Sequence, residues 1–163
     1  MKKYCILFGL IALLLGLIPI WALEAGNSLP AFQLPRVEGG VYSVSADLGQ
    51  KKLVVWLTDF DAQAMLLLPR LVDLSSRLPN TRFILISVNG EDTSKALAAK
   101  QQFQLPFPVL LDPQGRICQQ LCGFYIQGVE PNNNLIVTAS NGLVLLTDYL
   151  PGYPLKDLED KLK

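Results

Sequence analysis

Cys118 and Cys122 are the residues whose type and spacing most directly suggest chemistry. They lie four apart on a predicted short helix and so share a face. Two thiols so placed could exchange with a disulfide as a redox pair. They could equally form a local disulfide or fill space as small apolar side chains. An i,i+4 pair on a regular helix sits near the geometric limit for a disulfide. A CxxxC pair away from a helix N-terminus also lacks the usual device for acidifying a thiol. A second set is acidic: Asp59, Asp61 and Glu130. As a cluster these could bind a cation or a basic peptide, although hard cations want several oxygens. Asp61 alone reads as a helix N-cap. The chain has no histidine, which excludes Ser-His-Asp and Cys-His catalysis and any histidine metal ligand. No metal and no cofactor are expected.

The elements that must position these residues follow from hydrophobic patterning. Leu29–Leu34 and Val41–Val44 alternate around Glu38-Gly39-Gly40 and predict a small hairpin. Leu53–Leu57 is continuously apolar, as a strand buried on both faces is. Ala62–Leu78 has helical spacing, with Pro69 expected to kink it. Phe83–Val88 is a second buried strand. Thr93–Phe103 is a helix capped by Asp92 or Thr93. Phe107–Leu111 is a third strand, and Gln114–Leu121 a short helix stopped by Gly123. Leu135–Ala139 and Leu143–Tyr149 flank Ser140-Asn141-Gly142, a hairpin signal. Leu155–Leu162 closes the chain as a helix. The order predicts an α/β domain with a central mixed sheet flanked by helices and an N-terminal hairpin extension. Trp56 is expected in the core and Phe60 as a partly exposed rim residue.

Residues 1–25 read as a targeting segment, leaving 26–163 as one domain. Lys2 and Lys3 precede an uncharged run from Tyr4 to Leu23. It is either a signal peptide, with Ala22 and Ala25 as small residues at the cut, or a retained anchor. In both cases the folded part lies outside the cytoplasm, periplasmic or secreted. Cys5 precedes the apolar run and is not placed as a lipoprotein cysteine. Fourteen basic and 14 acidic residues balance, so nothing points to nucleic acid. The even pair left after residue 25, Cys118 and Cys122, is a disulfide candidate in an oxidising compartment.

The chain resembles the thioredoxin-like superfamily, specifically the extracytoplasmic TlpA-like thiol–disulfide proteins and the AhpC/TSA-related peroxiredoxins. Three stretches carry this likeness: the lead-in LPAFQLPRVEGGVYSVSADLGQKKLVVWL, the strand-turn-helix VVWLTDFDAQAMLLLPRL with Pro69 at the helix proline, and Gly128-Val129-Glu130-Pro131 before NNNLIVTASNGLV. The resemblance implies a thioredoxin-like fold and a cis-proline at Pro131 facing the active site. It places the family's CxxC cysteines at Asp61 and Ala64, so that CxxC becomes DAQA. It places the peroxidatic TxxC motif at Thr58–Asp61, with the threonine kept and the cysteine replaced. The peroxiredoxin arginine, expected near Asn132–Asn134, is missing. A carboxylate cannot perform thiol exchange.

The expected function is therefore an exported, non-catalytic binding or accessory module. Its partner would be an extended protein segment docking beside Pro131, with Glu130, Phe60 and Asp61 as binding residues. The alternative is a thiol–disulfide oxidoreductase or peroxiredoxin-like protein using Cys118 and Cys122. A third reading is a structural domain displayed at the membrane by its N-terminal segment.

Overall fold

The computed structural model describes residues 22–89, 93–126 and 129–163. Most of the predicted targeting segment, together with Asp92 and Gly128, lies outside them. Two short strands, β1 (Gln33–Pro35) and β2 (Val41–Ser43), pair antiparallel as the N-terminal hairpin. The main sheet holds β3 (Lys52–Thr58), β4 (Thr81–Ser87), β5 (Val109–Leu111), β6 (Leu135–Thr138) and β7 (Val144–Asp148). Its order is β5-β4-β3-β6-β7. β3, β4 and β5 run parallel, whereas β6 and β7 are antiparallel to their neighbours. The helices are α1 (Ala62–Arg77), α2 (Ser94–Gln102), α3 (Arg116–Cys122) and α4 (Leu155–Leu162). This is the mixed, helix-flanked sheet that the sequence predicts.

Strand alternation sorts the core into two layers. On one face Val54, Trp56, Phe83, Leu85, Val109, Leu135 and Val137 pack under α1, α2 and α4. On the other, Leu53, Val55, Leu57, Ile84, Ile86, Leu110 and Ile136 meet α3, the hairpin and the lead-in. β3 is buried from Leu53 to Thr58 because both faces are covered, which is why its sequence shows no alternation. A network of Tyr42, Asp47 and Arg82 ties the hairpin region to β4: the Tyr42 hydroxyl donates to Asp47, and Arg82 pairs with the same carboxylate at 3.3 Å.

Local signals place the element ends. α1 runs without a break through Pro69, which is exposed and leaves only the Met65 carbonyl without its helical donor. α3 begins at Arg116 and includes Cys122, one residue beyond the predicted end, before Gly123 closes it in the left-handed region at φ 81°. Thr93 precedes α2 but caps it with no side-chain bond. Gly142, at φ 83°, turns the chain between β6 and β7, and its N–H donates to Ala139 O.

Candidate functional site

The loop Asp59–Asp61 leaves the C-terminal end of β3 and enters α1. Asp61 is the N-cap: its Oδ1 accepts the Ala64 N–H at 2.7 Å. The two positions to which the resemblance carries the cysteine pair are thus joined as a helix cap, with Asp61 exposed and Ala64 buried. The helix N-terminus favours a carboxylate there as it would a thiolate. Asp59 Oδ1 in turn accepts the Asp61 N–H at 2.9 Å.

Glu130 reaches this loop from the segment preceding β6. Its Oε1 accepts the Asp59 N–H at 3.0 Å, and its Oε2 accepts from Asn134 Nδ2 at 3.0 Å. Burial pushes the Glu130 carboxyl above its ordinary value, and the neighbouring Asp59 and Asp61 charges push the same way. Hydrogen bonds from Thr58 and the Asp59 amide oppose the shift. Asn134 is fully buried, and its Oδ1 accepts the Leu150 N–H at 2.9 Å. Burial, followed by the charges of Glu130, Asp61 and Asp59, also raises the Tyr149 hydroxyl beside the loop.

Carboxylate oxygens of Asp59, Asp61 and Glu130 lie within 4.8 Å of one another. They are the described residues that could hold a cation. Each already caps an amide, and Lys95 Nζ stands 4.0 Å from Asp59. The arrangement works as a relay of caps that holds the β3–α1 loop.

Two expectations need correction. Phe60 is no rim residue: it is 3% exposed and packs in the core under α1. Its ring turns inward because its backbone takes φ 58°, with its N–H on Thr58 Oγ1 at 3.1 Å. Pro131 is not cis: the described residues contain no cis peptide bond. Trans is the intrinsically favoured form of a prolyl bond, and in this form Glu130 reaches the Asp59 amide. Pro131 itself is buried.

Cys118 and Cys122 do not join this site. They are free thiols, 1% and 3% exposed, in the core layer under α3 on the opposite face of the sheet from α1. Cys118 Sγ donates to Phe124 O at 3.6 Å and Cys122 Sγ to Asn133 O at 3.7 Å. The hydrogen bond with Cys118, then burial, pushes the Cys122 thiol far up. A protonated, buried thiol is a poor nucleophile. Asp112, which the sequence reading missed, organises this helix: its Oδ2 accepts the Cys118 N–H at 2.8 Å from a 2% exposed position. The only advance signal was an Asp-Pro pair ahead of a glycine. Asn134 was likewise missed, hidden in a run of three asparagines.

The comparisons agree with this architecture. A match of 26% identity over 101 residues, 61% of this chain, joins it to "Putative peroxiredoxin bcp" of Coxiella burnetii. It spans 66% of that protein, just under two thirds of its length. The secreted disulfide oxidoreductase of Mycobacterium tuberculosis homologous to E. coli DsbE superposes with a TM-score of 0.66 at 17% identity, covering 80% of this chain and 93% of that one. Peroxidoxin BcpB of Mycobacterium tuberculosis gives a TM-score of 0.69 at 17% identity, covering 86% and 94%. The fold is thioredoxin-like. Residues 25–144 match the AhpC/TSA family model, and the chain belongs to the AhpC/TSA family.

Proposed function

We propose that this chain is an extracytoplasmic member of its family that performs no thiol chemistry and serves as a binding or accessory module. The observation that carries the reading is the Asp61–Ala64 cap. Where the resemblance expects two sulfurs, a carboxylate oxygen holds a backbone amide at 2.7 Å. The remaining thiols support it from the other side, being buried and bonded to carbonyls in a different layer. Export is supported by the uncharged run after Lys2 and Lys3 and by likeness to a secreted protein. The proposed docking edge is the backbone at Glu130–Pro131, where an extended segment could add to the chain leading into β6.

The test is turnover. Purified protein with a dithiol reductant is expected to give no insulin reduction and no peroxide reduction above the reductant alone. Activity that disappears in Cys118→Ser/Cys122→Ser overturns the reading in favour of an oxidoreductase. For docking, Pro131→Ala is expected to weaken cross-links to extended peptides. Undiminished cross-linking counts against the edge.

A further inference from the structure

The chain enters its fold at one particular place. The Leu23 N–H donates to Leu121 O at the end of α3, at 2.9 Å, and the Leu23 side chain is buried in the layer beneath that helix. Ala22 lies against Gly123, where an added Cβ would come 3.1 Å from the Ala22 nitrogen. The uncharged run that ends at Leu23 is therefore delivered to the loop that leaves α3.

The described residues of that loop expose apolar side chains. The Tyr125 ring lies over Gly115 so closely that a Cβ there would fall 2.0 Å from it. Tyr125 thus points inward, while Phe124 and Ile126 on either side of it are 39% and 58% exposed. The Val129 N–H donates to Ile126 O at 3.0 Å, and Val129 is 45% exposed. No charged residue stands between Arg116 and Glu130. Single exposed apolar residues need no explanation, but a grouped, uncharged set on a pinned loop does.

We propose that Phe124, Ile126 and Val129 form a face that rests on a phospholipid bilayer, with residues 1–21 retained in that bilayer as the anchor. The run is long enough to cross the apolar core of a membrane, and it is tethered within one residue of the face. A contact too weak to hold the domain by itself becomes effectively intramolecular when tethered so closely. The loop leaves α3, whose buried residues lie in the layer opposite α1, so Leu66, 76% exposed on α1, serves as an internal control. The inference rests on the extracytoplasmic reading but not on the absence of thiol chemistry, so it fails independently of the turnover assays.

The test uses the full chain in vesicles of phosphatidylcholine and phosphatidylglycerol. A photoreactive benzophenone amino acid is placed at position 126, at 124 in a second variant, and at 66 as control. Lipid adducts at 126 or 124 with none at 66 support the proposal. Absence of adducts at both loop positions, or equal labelling at 66, overturns the face. Recovery of the native chain from its cell as a soluble protein beginning at or beyond Ala22 overturns the anchor, and with it the proposal.

Discussion

Glu130 shows how one side chain can bind two distant parts of the chain. It spans 71 positions to the Asp59 amide and four to Asn134. Because burial raises its carboxyl above the ordinary 4.5, the folded state holds a proton that the unfolded state has released. Stability therefore falls as pH rises from 4.5 through the folded value, then levels once both states are ionised. Asp112, also raised by burial, adds a contribution of the same sign from 3.8 upward. Glu130→Gln cannot titrate, so its thermal midpoint is expected to change less across this window than that of the wild type. Parallel curves would show that Glu130 does not carry the dependence. The variant also loses one bond, since the Asn134 amide is fixed by Leu150 and a glutamine must oppose donor to donor on one side. Such an unmade buried bond costs about 1–3 kcal/mol. Glu130 was legible as a candidate from its place before Pro131, but its partners were not. Hydrogen bonds across 71 positions leave no local pattern, and neither does the left-handed backbone at Phe60, which a bulky residue seldom adopts.

At the scale of the element, α1 opens on a capping carboxylate, Asp61, at the position to which the resemblance carries a cysteine. Its N-cap was readable because Asp61 stands immediately before a helical apolar stripe of Leu68, Leu71 and Leu74. β3 was readable from its continuous apolar run, and the β6–β7 turn from Ser140-Asn141-Gly142. The layering of α3 against α1 was not, because a seven-residue helix carries too few turns to declare its face. If the helix start is intact, restoring sulfur should restore chemistry. Asp61→Cys with Ala64→Cys is expected to form a disulfide under oxidising conditions and to gain insulin-reducing turnover. The pKa of the thiol at position 61 should fall below the free value of about 8.5. A folded variant that forms no disulfide, or has an unshifted thiol, would show that the loop geometry has drifted as well as the sequence.

At the scale of the whole molecule, the question is where the folded unit starts. The two small residues suited to a processing site, Ala22 and Ala25, lie on either side of Leu23. Leu23 is 9% exposed, donates its amide to Leu121 O, and helps close the layer that also holds Cys118, Leu121, Cys122 and Val144. Glu24 and Ala25 are exposed, and Gly26 is held separately by its own bond to Val144 O at 2.9 Å. Cutting after Ala25 therefore removes a core side chain, two main-chain bonds (Leu23 N–H to Leu121 O and Asn27 N–H to Glu24 O) and the Glu24 N–H bond to Asn27 Oδ1, whereas cutting before Ala22 removes none of these. A buried leucine contributes about 1.5–3 kcal/mol, and a typical hydrogen bond adds about 1 kcal/mol. Chains beginning at Ala22 and at Gly26 should accordingly differ in urea midpoint with unchanged slope, the longer being the more stable. Equal midpoints would mean that Leu23 is dispensable and that processing is free to occur at either alanine. The predicted gap would instead place selection against the later cut, because the shorter product would give up a substantial part of a domain's stability of about 5–15 kcal/mol.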